Sequence, residues 1–501
     1  MPESLQQLLV VLAIATLTFA LARPVALKFS SASDFSLRRN AWFVLTIVAF
    51  LSPSFWLFAL VAVPLLVVAG HRDTNPVALY LLLMNVVPVI PIDIPVVGIN
   101  HLLELDIYRL LAFCVLIPTA WRQRQSRPET QARGLDRVDF LLIAYGALQT
   151  LVFVPPDLPD HLILQDSLTN MMRRAVLFFI DSYLVYFVVS RSCSNRRLIV
   201  EAMAAFCLAC ALLAGDAVFE ALRHWLLYTN IGMRWQGIPS FYTMRGGALR
   251  AMASSGGPLI LGYLLAIAFG FWLYLQTHVE SARLRIAGVL LFWLGLLAAY
   301  SRGPWLGALL IYFTFTALGP RGSSRVFRAA GITAIIAGAL LISPIGERLT
   351  SVLPFMGGHV DQYNVDYRRR LAWRSWELIK EHPWLGDRLA LVKLQDLRQG
   401  MGIIDLVNTY AEVALFYGLL GLSLFLSPML LTLSRVYRVA RGILHSDSDY
   451  ASLGICLCVC AVGTLMMIAF SSLYLGYQKL FYVLTGLLAA YGHVARRPER
   501  R

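Results

Sequence analysis

Charged residues are scarce in this sequence. Only 14% of its 501 residues are Asp, Glu, Lys or Arg, and 58% are apolar, whereas a soluble protein of this size carries about a quarter charged residues. The apolar residues form long uncharged runs, such as 41–70, 258–275 and 413–433. A helix needs about 20 such residues to cross a hydrocarbon core of about 30 Å. The composition therefore excludes a soluble enzyme, a secreted disulfide scaffold and a disordered chain, and it predicts an all-α polytopic membrane protein.

Several kinds of site have little support in the sequence. The seven cysteines lie in apolar segments or, for Cys193, in a short basic loop, so we interpret them as small packing residues. None of the histidines expected to face outward has a second His at the spacing of zinc ligands. A GxxxxGK[ST] loop is also missing, so ATP-driven transport by this chain alone is unsupported. We expect no metal and no cofactor.

Acidic residues are outnumbered by basic ones, 29 to 43. In a membrane chain the excess marks cytoplasmic loops, so we expect no nucleic acid partner. The spacing of the basic loops predicts about fourteen to fifteen transmembrane helices, with the N-terminus outside and the C-terminus inside. Ser52-Pro53 splits one apolar run, which predicts a hairpin of two helices at 40–52 and 54–70. The next span is expected near 76–91.

This topology divides the chain into five parts. They are an N-terminal transmembrane bundle (1–225), an outer loop (226–257), further transmembrane helices (258–345), a large outer loop (346–408) and C-terminal transmembrane helices with a cytoplasmic tail (409–501). The large loop contains a predicted amphipathic helix, 370–381, in which Trp373 and Trp376 are placed to lie at the membrane surface.

The outer loops carry cations that the topology does not explain. The smaller loop contains Arg245 and Arg250 and no Asp or Glu, and Arg302 lies at an outer turn between two spans. Positive charge is disfavoured on the outer side, and the planar guanidinium group suits phosphate. We interpret these arginines as a site for an anionic ligand. Contacts with lipid head groups or loop acids are the alternative, which we favour for Arg348, Arg388 and Arg398.

Four motifs, taken in order, resemble those of the O-antigen ligase and polymerase superfamily. They are Arg250-Ala251 followed by GGPLILG at 256–262, SRGPWLG at 301–307, WELIKEHPWLG at 376–386, and IDLVNTY at 404–410 followed by GLLGL at 418–422. The resemblance covers roughly 245–425 and implies a GT-C-like membrane enzyme. In O-antigen ligases a His precedes the Asn at the end of the loop, whereas here Val407 precedes Asn408. The chain is therefore more similar to exopolysaccharide polymerases.

The resemblance implies a glycosyltransferase of the bacterial inner membrane with its active site facing the periplasm. It would transfer a polyprenyl-diphosphate-linked oligosaccharide onto another lipid-linked repeat unit, in the synthesis of an exopolysaccharide or O-antigen. Membrane lipids, a flippase and a chain-length regulator are the implied partners. An O-antigen ligase acting on lipid A or a protein, and a transporter or flippase of lipid-linked sugars, stay open as alternatives.

This chemistry needs two kinds of group. Fixed cations would stabilise the leaving diphosphate, and the candidates are Arg302, Arg245, Arg250 and either Arg368 or Arg370, because the triple Arg leaves the register open. A base would take the proton of the acceptor hydroxyl; Asp405 is the first candidate and Glu412 the second. A helix N-cap or a salt bridge is the alternative for Asp405. Asn408 completes the expected substrate-binding residues.

Overall fold

The computed structural model describes residues 2–96, 101–125, 135–152, 168–237, 242–245, 247–319, 362–398, 404–473 and 476–496. Nearly all regular structure within these ranges is helical. Residues 320–345 of the predicted transmembrane region 258–345, and the loop residue Arg348, lie outside the described residues.

The N-terminal part alternates long helices with short connections. Its elements are α1 (Glu3–Ala26), α2 (Ala32–Leu51), α3 (Phe55–Arg72), α4 (Pro76–Leu83), β1 (Ile92–Asp93), β2 (Glu104–Leu105), α5 (Ile107–Leu111), a π-helical turn (Ala112–Leu116), α6 (Ile117–Gln125), α7 (Arg137–Leu151), α8 (Leu168–Phe178), a second π-helical turn (Phe179–Tyr183), α9 (Leu184–Ser192) and α10 (Arg196–Arg223).

The C-terminal part begins with a short helix and a small hairpin. Its elements are α11 (Thr229–Gln236), β3 (Met244–Arg245), β4 (Ala248–Leu249), α12 (Pro258–Leu275), a 3-10 turn (Gln276–His278), α13 (Ala282–Ala298), α14 (Arg302–Leu318), α15 (Gln362–Glu381), α16 (Ala390–Lys393), a 3-10 turn (Gln395–Leu397), α17 (Thr409–Gly442), α18 (Ser448–Ile468) and α19 (Gly476–Val494). The strand pairs β1–β2 and β3–β4 are both antiparallel.

The helices form a polytopic membrane bundle. Seven helical segments within the described residues are long and apolar enough to span a bilayer. The helix α12 lies at the centre and packs against α10, α13, α14, α18 and α19. On α13, by contrast, Ile286, Leu290 and Leu294 are all exposed at intervals of four residues. Such an apolar stripe on one face of a helix would be unfavourable in water, and it is expected where the helix faces lipid.

The predicted hairpin at 40–70 is confirmed, because α2 ends at Leu51 and α3 begins at Phe55, with Ser54 capping α3. The predicted span near 76–91 is wrong. The helix α4 covers Pro76–Leu83, eight residues in all, and is followed by turns. Prolines at 88, 91 and 95 lack the N–H that a continuing helix needs and disfavour helical geometry in the residues before them.

Two sets of buried ion pairs lie at one end of the bundle, which we call the basic end. Arg38 of α2 is buried and pairs with Asp73 at 2.6 Å and with Glu201 of α10 at 2.9 Å. Arg191 of α9 pairs with Asp139 of α7 at 2.8 Å. These pairs tie together helix ends that are far apart in the sequence.

The opposite end, which we call the site end, is where α1 and α17 begin and α7 and α10 end. Trp225, after α10, donates from Nε1 to Oε1 of Glu3 in α1 at 3.1 Å. Arg388 donates from Nε to the carbonyl of Val152, after α7, at 2.5 Å. The described parts of both large connecting loops lie here, as the alternation of the basic loops predicts.

The described part of the second large loop has a hydrophobic core of its own. Tyr367, Leu371 and Leu378 of α15 pack with Leu394 and Leu406 in a cluster separate from the main core. The spacing of the α15 residues places them on one face of the helix, which confirms a helix at 370–381 and extends it to 362. Trp373 and Trp376 are exposed.

Candidate active site

The β3–β4 hairpin lies against the turn between α13 and α14. Arg245 donates from Nη1 to the carbonyl of Tyr300 at 2.9 Å. Arg250 donates from Nη2 to Oγ of Ser301 at 2.9 Å. Both partners immediately precede Arg302, the first residue of α14. Three arginines that are up to 57 residues apart in the sequence are therefore held around one turn.

The turn itself has an uncommon backbone conformation. Tyr300 has a φ of 45°, a left-handed conformation that costs a non-glycine residue free energy and that often marks functional sites. Its carbonyl is the group that accepts the hydrogen bond from Arg245. The strained turn thus contributes directly to the position of a candidate ligand-binding side chain.

A buried carboxylate anchors the loop that carries Arg250. Glu220 of α10 accepts hydrogen bonds at Oε1 from the N–H of Leu227 at 2.9 Å, and at Oε2 from the N–H groups of Met252 at 2.9 Å and Ala253 at 2.8 Å. Sequence reasoning missed this residue. The available signal was an acidic residue near the end of an apolar helix, which requires a partner.

Helix α15 brings a fourth arginine to the same place. The buried hydroxyl of Tyr367 donates to the carbonyl of Asp405 at 3.3 Å and accepts from its N–H at 3.1 Å. The neighbouring Arg368 is close enough to Arg245 and Arg302 to repel both electrostatically. Tyr367, another residue that the sequence did not indicate, therefore fixes α15 beside the cluster.

Of the triple Arg, the electrostatic interactions single out Arg368. Residues two apart on a helix do not face the same side, and among the described residues no interaction joins Arg370 to the other arginines. Both side chains are exposed. The sequence left open which of these arginines joins the other three. The electrostatic interactions favour Arg368.

We call Arg245, Arg250, Arg302 and Arg368 the arginine cluster. Among the described residues none of the four forms a salt bridge within 4 Å, and the Nε atoms of Arg250 and Arg302 are buried without a hydrogen-bond partner. Burial and the charges of Arg302 and Arg368 lower the pKa of Arg245. Burial and the charge of Arg245 lower the pKa of Arg250 to about 10. Such crowding is unfavourable without an anion, so the cluster is suited to bind a polyanionic group.

Asp405 is the carboxylate beside this cluster. Its side chain is partly exposed, but the surrounding protein still raises its pKa through desolvation, and the positive charge of Arg368 opposes that rise. It interacts electrostatically with both Arg368 and Glu412. It does not cap α17. A carboxylate in this position can accept a proton from a group bound near Arg368.

The structure places the remaining candidates on α17. Asn408 is the N-cap, and its Oδ1 accepts from the N–H groups of Tyr410 at 2.9 Å and Ala411 at 3.2 Å. Its observed role is therefore to start the helix. Glu412 lies one turn further on, and its buried Oε2 has no hydrogen-bond partner in the part of the chain that the structure describes.

The comparison with known families agrees with the motifs. Residues 287–426 match the family model described as O-antigen ligase. This segment, which we call the superfamily segment, is similar to the O-antigen ligase and polymerase superfamily. Members of the superfamily are glycosyltransferase-like ligases and polymerases. No curated protein is similar enough to this chain to count as a match.

The superfamily segment contains part of the site. Arg302, Arg368, Asp405 and Glu412 lie within 287–426, whereas the β3–β4 hairpin with Arg245 and Arg250 lies before it. The match is thus narrower than the resemblance at 245–425. The hydrogen bonds of Arg245 and Arg250 to the α13–α14 turn show how the preceding residues join the superfamily segment in one site.

Proposed function

We propose that this protein is a glycosyltransferase that extends a polysaccharide by moving a glycan from a polyprenyl diphosphate onto the hydroxyl of another lipid-linked repeat unit. The observation that carries the proposal is the arginine cluster beside Asp405. The crowded cations can bind the diphosphate of the donor, and the carboxylate can accept the proton of the acceptor hydroxyl. The donor is already activated, so the reaction needs no nucleotide.

The reaction balances with these groups alone. The acceptor oxygen forms a bond to the anomeric carbon of the donor, and the bond from that carbon to the diphosphate oxygen breaks. The electron pair goes to the diphosphate, whose increasing negative charge the arginine cluster stabilises. The proton of the acceptor hydroxyl goes to Asp405, for which a raised pKa means a stronger base. Glu412 is the second candidate for the base.

An O-antigen ligase acting on lipid A or a protein is the second candidate function, and the family description favours it. Val407 argues against it, because O-antigen ligases are expected to carry a His at this position. The same cluster would bind the same kind of donor in either enzyme, so the two functions differ in the acceptor alone.

We place the site on the periplasmic side of a bacterial inner membrane. The basic residues Arg38, Arg191 and Arg283 support this orientation, because they lie at the end of the bundle opposite to the arginine cluster and basic residues mark the cytoplasmic side. A flippase that delivers the donor and a chain-length regulator are the partners that such a polymerase would require.

The decisive experiment incubates the purified protein in lipid with a lipid-linked repeat unit and separates the products by size on a gel. We expect a ladder of longer glycans for the wild type and none for Arg302→Ala. A product that appears only after addition of lipid A would favour the ligase. If neither acceptor is glycosylated, the proposal is overturned in favour of transport.

A further inference from the structure

A second feature of the site end is a cavity beside α17, which we call the α17 cavity. Its volume is about 240 Å³. It is lined by the first turns of α17 and α19, the end of α7 and the loop residue Arg388. At about 30 Å³ for each water, this volume corresponds to about eight waters, which is enough space for one six-membered sugar ring.

The lining combines aromatic rings with a few planar polar groups. The aromatic residues are Tyr145, Phe416, Tyr417, Phe425 and Tyr482, and the polar residues include Gln149, Arg388, Glu412 and Gln478. Aromatic faces pack against the C–H groups of a sugar ring, and carboxylate or amide groups bind neighbouring hydroxyls. Aromatic walls combined with a few well-placed polar groups are typical of small-molecule sites.

Glu412 indicates what the cavity holds. Its buried Oε2 lacks a hydrogen-bond partner among the described residues, and an acceptor buried in this way costs free energy until a donor is supplied. An acyl chain could not supply one. Gln478 donates to Oγ of Ser182 at 3.0 Å, which leaves its amide oxygen to accept a second donor. A ligand with several hydroxyl groups fits these needs.

The position of the α17 cavity relative to the arginine cluster indicates the role of its ligand. Asp405 interacts electrostatically with both Glu412, which lines the α17 cavity, and Arg368 of the arginine cluster, so it is close to both. We infer that the α17 cavity binds a single sugar ring of the acceptor glycan, with Glu412 and Gln149 as hydrogen-bonding groups and the aromatic residues as its walls. The assignment to the acceptor rests on the proposed function.

Sugar binding is measured without any reaction. The full-length protein in nanodiscs is mixed with a panel of methyl glycosides of glucose, galactose, mannose, N-acetylglucosamine and glucuronic acid, and saturation-transfer NMR detects contact with the ring protons. We expect transfer to at least one glycoside, and a decrease of at least about fivefold in Glu412→Gln and in Gln149→Leu, since each loses a buried hydrogen bond. The matched controls are Glu377→Gln and Gln276→Leu, whose side chains lie outside the cavity.

Arg302→Ala separates this inference from the proposed function. It is expected to abolish polymer synthesis and to leave saturation transfer unchanged, because Arg302 does not line the cavity. Sugar binding that persists in a protein without transferase activity would contradict the proposed function alone. Absence of transfer to every glycoside, or equal transfer in wild type and both cavity variants, would overturn the assignment of the cavity. Folding of each variant is checked by size exclusion, and Val413→Phe, which reduces the cavity volume, serves if Glu412→Gln does not fold.

Discussion

Gly386 and Gly418 allow two backbone segments to cross in direct contact. Gly418 has a φ of 65° and interrupts the helical geometry of α17. The backbone groups freed by this break pair with the loop before α16: Leu419 N–H donates to Pro383 O at 2.7 Å, and Asp387 N–H donates to Leu415 O at 2.6 Å. The glycines of two family-like motifs are therefore explained by one contact, which fixes the large loop to the helix that carries Glu412.

A methyl group at this crossing is expected to be strongly destabilising. A Cβ on Gly418 would lie 2.6 Å from the backbone nitrogen of Leu385, and the left-handed φ adds strain of about 1–2 kcal/mol for any L-residue. Gly418→Ala should therefore lower stability by at least about 2 kcal/mol. The measurement is the thermal unfolding midpoint in detergent, monitored by size exclusion.

The same helix offers a matched control for that substitution. A Cβ on Gly442 would meet no heavy atom within 4 Å beyond its own stretch of helix, and Gly442 has no positive φ, so Gly442→Ala should leave the midpoint unchanged. Equal midpoints for Gly418→Ala and wild type would show that the two segments do not cross in this way.

Arg302→Lys should lose most of its activity while the protein still accumulates in the membrane. Lysine keeps the charge but cannot donate two parallel hydrogen bonds to a diphosphate oxygen pair. We expect a decrease in polymer synthesis of roughly a hundredfold, comparable to the loss of one group that stabilises a transition state. The assay is the gel described above, with protein amount measured by immunoblot.

The control for that variant is Arg283→Lys in α13. Arg283 is exposed and lies at the opposite end of this helix from the arginine cluster, so its replacement should not change synthesis. Normal chain length and rate in Arg302→Lys would remove Arg302 from the diphosphate site.

Arg368→Gln should shift the pH dependence of the reaction. If Asp405 is the base, activity falls at low pH as its carboxylate is protonated. The charge of Arg368 holds the pKa of Asp405 down, so its removal raises that pKa and moves the acidic limb of the pH–rate profile to higher pH. The limb is measured from initial rates across the acidic range.

Arg369→Gln provides the comparison, because this neighbouring arginine is exposed on α15 and is not among the charges that act on Asp405. Its acidic limb should coincide with that of the wild type. An unchanged limb in Arg368→Gln would argue that Asp405 is not the base, and Asp405→Asn with full activity would confirm that conclusion.

Glu220→Gln should loosen the loop that carries Arg250. The carboxylate accepts three backbone N–H groups through two oxygens, whereas an amide has one oxygen and places its own N–H₂ against one of these donors. We expect a loss of about 1–3 kcal/mol and faster protease cleavage between residues 237 and 257. Limited proteolysis of the protein in nanodiscs measures the cleavage rate.

Asp216→Asn is the milder control on the same helix. Asp216 accepts from the hydroxyl of Tyr228 at 2.9 Å, and a hydroxyl can rotate to accept from an amide instead. It should be cleaved at nearly the wild-type rate. Cleavage of Glu220→Gln at that same rate would contradict the anchoring role of Glu220.

Local patterns along the chain were enough to predict the kind of protein and many of the site residues. The length and periodicity of apolar residues depend only on nearby positions in the chain. The split at Ser52-Pro53 and the helix around Trp373 were therefore predictable. The arginines of the outer loops were conspicuous because orientation bias disfavours them there. Asp405 was a candidate because it falls at the end of the large outer loop, where the loop meets the membrane.

How these residues come together depends on the packing of the helices. The sequence did not reveal that Arg368 rather than Arg370 joins the cluster, since that depends on how Tyr367 attaches α15 to the backbone of Asp405. Nor did it reveal the anchor at Glu220 or the cavity at Glu412. A buried acid needs a partner. Which residue becomes that partner depends on the packing of helices that are far apart in the sequence, and this packing cannot be inferred from a local sequence pattern.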